Sequence, residues 1–147
     1  LGIEIQNKGH FIRYESFTKK QIFSSIQLIK KLLKKYQIKK ENVLGHSDIA
    51  PLRKIDPGEK FPWEILSKKG VAKWYSKYKS KKYNHDFAWR RKIFFRNIFK
   101  IGYRYFNLSR KSKKDRKIIM AFQRRYLPNE VNGKITDKTL RISQLLM

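Results

Sequence analysis

The segment from residue 45 to residue 58 constrains the fold of this chain most strongly, because prolines and glycines interrupt it. Pro51 and Pro57 each lack a backbone N–H donor and fix one backbone angle. Gly58 follows Pro57 directly, and a Pro-Gly pair is typical of a tight turn. We therefore expect an irregular loop here, preceded by a brief buried strand at Val43–Leu44.

This loop carries an imidazole, a carboxylate and an ammonium group in one short stretch of chain. Nine residues separate His46 from Asp56, and Lys54 lies two residues before Asp56. A catalytic zinc ion binds imidazole nitrogen and carboxylate oxygen and keeps one position open for water. If residues 54–56 are extended, Lys54 and Asp56 project to the same side, so the ammonium would lie near the metal. An Asp before Pro-Gly is more often a turn residue than a ligand, and spacing alone leaves both interpretations open.

Hydrophobic periodicity predicts an α/β fold, in which part of a mixed sheet precedes a small helical domain. Apolar and polar residues alternate over residues 1–6, and a period of two predicts a strand with one buried face. Thr18 and Gln21 form a capping-box pattern that predicts the start of a helix ending near Gln37. A short helix from Pro62 to Ser67 is expected after the loop. The long helix has five apolar residues at helical spacing, namely Ile22, Ile26, Ile29, Leu33 and Tyr36.

A polar and charged stretch divides the chain into two predicted domains. We assign residues 1–78 to the first domain, residues 79–86 to a linker and residues 87–147 to a helical second domain. The second domain is expected to contain three short helices. These are predicted in Phe87–Phe106, in Asp115–Tyr126, and after a cap at Thr136 or Asp137.

Composition excludes some classes of protein. The chain has no Cys, so it contains neither disulfides nor thiolate metal ligands. No apolar run approaches the ~18–20 residues that span a bilayer. The formal net charge of +26 suggests attraction to polyanions such as nucleic acid, anionic lipid or cell-wall carboxylates. The lysines are, however, spread from Lys8 to Lys138, which favours scattered solvated lysines over a dedicated nucleic-acid module. We therefore expect no nucleic-acid partner.

Several strings closely resemble the zinc-dependent N-acetylmuramoyl-L-alanine amidases of the AmpD/AmiD type, which share their fold with the peptidoglycan recognition proteins. They are Gly45-His46-Ser47-Asp48-Ile49-Ala50-Pro51, Arg53-Lys54-Ile55-Asp56-Pro57-Gly58 and Phe61-Pro62-Trp63, with Gly2-Ile3-Glu4 upstream. The resemblance implies an enzyme that hydrolyses the amide bond between N-acetylmuramic acid and L-alanine in peptidoglycan or muropeptides.

The resemblance also implies a role for each matching residue. His46 matches the second zinc ligand and Asp56 the third. Glu4 matches the acidic residue that activates the water, and Lys54 matches the basic residue that stabilises the tetrahedral intermediate. The family's first ligand is a His upstream of the Gly-Ile-Glu strand, so we expect this chain to be truncated at its N-terminus. His10 could replace that ligand only in principle, because the family places no ligand there.

Residues 118–128 and 132–140 are similar to the three-helix peptidoglycan-binding domain, which has an Ala-Phe-Gln helix followed by a glycine turn. An unrelated basic three-helix bundle is the alternative. The resemblance implies peptidoglycan or muropeptides as partners and a location in the periplasm or outer-membrane-associated envelope of a bacterium. Membrane contact is expected only through an upstream anchor or signal. A non-catalytic peptidoglycan-binding remnant without the first zinc ligand, and a basic nucleic-acid-binding protein, are the competing functions.

Overall fold

The computed structural model describes residues 1–10 and 12–147, and this part of the chain forms six α-helices and one 3-10 turn. The helices are α1 Lys19–Lys35, α2 His46–Ile49, α3 Trp63–Lys68, α4 Phe87–Lys100, α5 Asp115–Tyr126 and α6 Asp137–Leu145, and the 3-10 turn spans Lys40–Asn42. Two compact units result. The first comprises Leu1–Leu44 and Lys60–Lys73, and the second comprises Gly45–Glu59 and Trp74–Met147. The two units are defined by which residues pack together in space. The domain boundaries predicted along the sequence stay predictions.

The predicted α/β fold class is wrong, because residues 1–10 and 12–147 contain no strand. Residues 1–6 have no regular structure, and the side chain at Leu1 is 86 % exposed. Val43–Leu44 is likewise not a strand. A strand needs a neighbouring segment to pair with its backbone N–H and C=O groups, and alternation in sequence cannot supply one. The Gln6 carbonyl instead accepts a hydrogen bond from the side chain of Gln21, at 2.7 Å.

The first unit is built around α1, and its capping box is confirmed. The Thr18 hydroxyl accepts a hydrogen bond from the Gln21 N–H at 3.2 Å, and the Gln21 side-chain oxygen accepts one from the Thr18 N–H at 2.8 Å. These bonds satisfy two backbone donors that a helix start leaves unpaired. The buried face carries Ile22, Ile26 and Ile29 of the predicted apolar stripe, whereas Tyr36 at the end of that stripe follows the last helical residue and is 49 % exposed.

Aromatic rings and the short helix α3 complete the apolar part of the first unit. The ring of Phe61 makes edge contacts with Phe17, at 5.2 Å between centroids, and with Trp63, at 4.9 Å. Trp63 and Leu66 of α3 are buried, and Val71 is buried just after the helix. The predicted short helix after the loop is therefore present, one residue displaced at each end.

The second unit contains the three helices predicted for the C-terminal part. α5 has the predicted bounds, and Thr136 caps α6 by accepting a hydrogen bond from the Thr139 N–H at 3.1 Å. α4 ends at Lys100, six residues before the predicted limit, and Gly102 follows with a φ of 114°. The largest fully buried side chains of this unit are Phe94, Phe95, Ile98, Ile118, Phe122, Gln123, Leu140, Ile142 and Leu146.

Gln123 holds the turn between α5 and α6. Its side-chain oxygen accepts hydrogen bonds from the N–H groups of Asn132, at 3.0 Å, and Gly133, at 2.8 Å. Its side-chain nitrogen donates to the Lys134 carbonyl at 2.9 Å. A fully buried amide with these partners is satisfied at both ends, which fixes the turn against the core. The described part of the chain contains no helix long and apolar enough to cross a bilayer.

Candidate metal-binding loop

The structure brings together the two residues predicted as metal ligands. The Nδ1 atom of His46 lies 3.0 Å from the Oδ2 atom of Asp56, and the two side chains are 45 % and 57 % exposed. This distance is that of a hydrogen bond between a ring nitrogen and a carboxylate oxygen, in which only the nitrogen can donate when the carboxylate is ionised. An imidazole nitrogen and a carboxylate oxygen therefore converge on one accessible point of the loop.

Backbone hydrogen bonds explain why the two side chains converge. The Ser47 N–H donates to the Asp56 carbonyl at 2.9 Å, which joins the two ends of the loop next to both candidate ligands. The Ala50 N–H donates to the His46 carbonyl and the Lys54 N–H to the Ala50 carbonyl, each at 2.9 Å. The Ala50 bond closes the single turn of α2, and the other two bonds pair backbone groups of the irregular part of the loop.

The end of the loop turns sharply after Asp56. The Asp56–Pro57 peptide bond is cis, and Gly58 has a φ of 81°, a left-handed conformation that suits glycine. Gly58 is also buried. Lys54 is partly buried two residues before Asp56. The Pro57-Gly58 turn expected from sequence is therefore where the chain reverses.

The remaining predicted residues lie elsewhere in the chain. Glu4 belongs to the first compact unit, and its side chain is exposed in the segment before α1. His10 stacks on Tyr14 with ring centroids 3.9 Å apart, and His85 stacks on Trp89 at 3.8 Å. Each imidazole is held by its own aromatic partner, so neither needs a metal ion to explain its position. The catalytic roles of Glu4 and Lys54 stay predictions.

Asp48 is the important loop residue that sequence reasoning missed. Its carboxylate is buried and accepts three hydrogen bonds: from the Gly45 N–H at 2.8 Å, from the Tyr103 hydroxyl at 2.5 Å and from the Nη1 of Arg125 at 2.5 Å. The first bond holds the start of α2, where His46 lies. The other two come from residues that are themselves 4 % and 3 % exposed. The motif contains Asp48, but no sequence pattern indicates partners so distant along the chain.

The charges in this cluster shift the pKa values of its neighbours. Burial lowers the pKa of the Arg125 guanidinium. The Asp48 carboxylate and two tyrosines raise this pKa by more than burial lowers it, so it lies above the ordinary value. Burial, followed by the Asp48 charge, holds the pKa of Tyr103 well above its usual range. Burial raises the pKa of Tyr126 to about 12, opposed by Arg125. These shifts favour a charged Arg125 beside neutral Tyr103 and Tyr126.

Two further contacts join the loop to α5. The Lys117 ammonium donates to the Leu52 carbonyl at 3.2 Å, and the Leu52 side chain packs against the helical core. The Arg124 guanidinium lies 3.8 Å from the Glu59 carboxylate near the end of the loop. The loop is therefore fixed to one helix at its middle and its end as well as through Asp48.

The donor set fits part of a zinc site. Zinc takes imidazole and carboxylate donors, and catalytic sites use three protein ligands. His46 and Asp56 supply two of these donor types within contact of each other. Within residues 1–10 and 12–147, no group of three or more His, Cys, Asp or Glu side chains is arranged to hold a metal ion.

The family model for N-acetylmuramoyl-L-alanine amidases, Amidase_2, matches residues 1–59, which include the whole loop. The relatives of this chain are amidases. The chain is 32 % identical to N-acetylmuramoyl-L-alanine amidase AmiD of Escherichia coli, over all of the chain and 56 % of that protein. It is 42 % identical to the 1,6-anhydro-N-acetylmuramyl-L-alanine amidase AmpD of Haemophilus influenzae, over 44 % of the chain and 33 % of that protein. The predicted resemblance to AmpD/AmiD amidases is thus confirmed.

Solved amidase structures match the fold of this chain as well. The complex of E. coli AmiD with anhydro-N-acetylmuramic acid-L-Ala-D-γ-Glu-L-Lys has a TM-score of 0.78 at 29 % identity, over 91 % of this chain and 53 % of that one. AmpDh3 of Pseudomonas aeruginosa has a TM-score of 0.73 at 27 % identity, over 91 % and 54 %. The chain thus spans about half the length of E. coli AmiD and of P. aeruginosa AmpDh3.

Proposed function

We propose that this chain takes part in zinc-dependent hydrolysis of the amide bond between N-acetylmuramic acid and L-alanine in peptidoglycan or muropeptides. The observation that carries the proposal is the contact between His46 and Asp56, at 3.0 Å, inside the segment that the amidase family model matches. Two residues of the types that zinc prefers meet there, and both side chains are open to solvent.

Each candidate residue has a distinct task in the proposed reaction. His46 and Asp56 would hold zinc, which when bound supplies a Lewis acid for the scissile carbonyl and an activated water. Glu4 is assigned to take the proton of the attacking water and pass it to the leaving amine. The Lys54 ammonium is assigned to offset the charge that develops on the carbonyl oxygen, a contribution of about 2.7–4 kcal/mol per donor in comparable sites.

The proposed substrate class rests on the relatives. E. coli AmiD is described in complex with an anhydro-muropeptide, and P. aeruginosa AmpDh3 in complex with anhydromuramic pentapeptide. The H. influenzae relative is named a 1,6-anhydro-N-acetylmuramyl-L-alanine amidase. We assign peptidoglycan fragments to this chain by that similarity. The α4–α6 part is assigned to peptidoglycan binding on its sequence similarity to the three-helix binding domain. A cell-envelope location is proposed on the same ground.

Zinc loading and turnover together test the proposal. The chain is incubated with anhydro-N-acetylmuramyl-tripeptide, and free tripeptide is quantified by mass spectrometry with zinc and with a chelator. Release that stops on chelation and returns with zinc is expected. Release unaffected by the chelator would contradict the zinc mechanism. Binding to insoluble peptidoglycan without any release would favour the non-catalytic alternative.

The assigned roles of Glu4 and Lys54 can be tested separately from zinc binding. Glu4→Gln removes the proton acceptor and Lys54→Ala removes the ammonium, and neither change alters the two proposed ligands. Turnover should fall about a hundredfold or more in each variant, the scale typical of a lost general base or oxyanion donor. Zinc content, measured by atomic emission, should stay at the wild-type value. Retained turnover would show that the roles are assigned to the wrong residues.

A further inference from the structure

We infer that Asp48, held by Tyr103 and Arg125, is a positioning residue that fixes the His46–Asp56 pair against helix α5. This inference deepens the proposed function, on which its zinc-binding part rests. It assigns to α5, whose sequence resembles a wall-binding helix, a second task as the support of the metal-binding loop.

Asp48 lies in the loop next to the backbone of a candidate ligand. It lies two residues after His46 in the single turn of α2, and it accepts a hydrogen bond from the Gly45 N–H immediately before His46. The carboxylate therefore fixes the backbone on both sides of the imidazole. Because the Ser47 N–H is bonded to the Asp56 carbonyl, the same turn also sets the place of the second ligand.

The Asp48 carboxylate and its partners are buried. The side chains of Asp48 and Arg125 are only 5 % and 2 % exposed. Burying an ion pair costs solvation, and well-packed apolar residues are often as stabilising in its place. Such a pair holds its two side chains in a defined orientation, because charge-assisted hydrogen bonds in a low-dielectric site have well-defined geometry. We infer that geometry, more than stability, is what this pair contributes.

The loop is attached to α5 at several points. Lys117 donates to the Leu52 carbonyl, and Arg124 lies beside the Glu59 carboxylate. These contacts and the Asp48–Arg125 pair involve residues near both ends of α5. A rigid helix that holds a loop at three places limits the motion of the groups between them. Asp56 lies between the attachments at Leu52 and Glu59, and His46 lies two residues before the attachment at Asp48.

The same unit provides a matched control pair. Arg91 donates to the Asp115 carboxylate at 2.8 Å, and the two side chains are 7 % and 8 % exposed. Arg91 also donates to the carbonyls of Asn107, Leu108 and Arg110, so this pair organises the segment between α4 and α5. It is a buried ion pair of the same chemistry without a contact to the loop ligands.

The test compares Asp48→Asn with Asp115→Asn by hydrogen exchange of the Ser47 amide and by zinc affinity. Loss of a residue that orients metal ligands typically weakens metal binding by about 10–100-fold. Asp48→Asn should raise both the Ser47 exchange rate and the zinc dissociation constant by about tenfold or more, whereas Asp115→Asn should leave both within about twofold. Equal effects of the two variants would overturn the inference, since a general loss of stability would then explain them.

A milder pair of variants keeps the test decisive if Asp48→Asn does not fold. Tyr103→Phe removes the hydroxyl that donates to the Asp48 carboxylate, and Tyr83→Phe removes a partly buried hydroxyl that donates to Gln144 in the same unit. Only Tyr103→Phe should accelerate hydrogen exchange of the Ser47 amide. If the wild-type chain binds no zinc but Ser47 exchange responds in this way, the proposed function fails and the positioning role stands. An unchanged Ser47 amide in Tyr103→Phe would overturn the positioning role whatever the zinc result.

Discussion

The Oδ2 atom of Asp48 lies 2.5 Å from the Nη1 atom of Arg125, although 77 positions separate the two residues in the sequence. This contact joins the loop that carries His46 and Asp56 to helix α5 within one compact unit. The loop and the helical part therefore share a buried polar centre.

Replacing Arg125 should destabilise the protein strongly. Arg125→Met leaves the Asp48 carboxylate buried without its counter-charge, and breaking a buried pair in this way costs about 3–5 kcal/mol. The free energy of unfolding, measured by urea denaturation, should fall by that amount. In the double variant Asp48→Asn/Arg125→Met the loss should be smaller than the sum of the single losses, because neither charge is left behind. Additive losses would contradict a direct interaction.

Stability at high pH should depend on Tyr103. Burial and the Asp48 carboxylate raise the pKa of Tyr103 in the folded protein, whereas an unfolded tyrosine titrates near ~10. The folded state therefore keeps a proton that the unfolded chain releases. Its contribution is fully present below the unfolded pKa and is lost as the pH rises from there towards the folded pKa.

The corresponding measurement is the free energy of unfolding between about pH 9 and pH 11, a range that brackets the unfolded tyrosine pKa. The decline should be shallower in Tyr103→Phe than in the wild type, because the variant has no hydroxyl to titrate at that site. Tyr105→Phe, which removes a hydroxyl from a side chain at a 61 % exposed residue, should decline like the wild type. Parallel curves for Tyr103→Phe and the wild type would contradict the pKa assignment.

Glycine at position 133 should be required by both conformation and space. Gly133 has a φ of 72°, and a Cβ there would lie 2.5 Å from the Arg116 Cγ. Gly70 has a φ of 78° but open space around it. Gly70→Ala should cost only the left-handed penalty of about 1–2 kcal/mol. Gly133→Ala should cost more by urea denaturation, and equal costs would show that Arg116 moves away freely.

The sequence predicts the features of this protein that depend on neighbouring residues. The capping box at Thr18 and Gln21, the bounds of α5 and the cap at Thr136 each involve groups within a few positions of one another. The proximity of His46 and Asp56 is also predictable, because Pro51 between them and the Pro57-Gly58 pair directly after Asp56 favour a compact irregular loop.

The features that sequence reasoning misses depend on distant partners. Residues 1–6 alternate as a strand would, but no described segment pairs with them, and strand formation is not a local property. Asp48 belongs to a recognisable motif, yet its partners Tyr103 and Arg125 lie 55 and 77 positions away. Periodicity marks such residues as buried or polar without showing which of them meet.

Turnover of anhydro-N-acetylmuramyl-tripeptide by His46→Ala, compared with His85→Ala, tests the central claim most directly. His46 contacts Asp56 in the loop, whereas His85 stacks on Trp89, so only the first change removes a proposed ligand. Zinc-dependent release of the tripeptide by the wild type and by His85→Ala, with none by His46→Ala, is the predicted result. Release by His46→Ala at the wild-type rate would contradict the account.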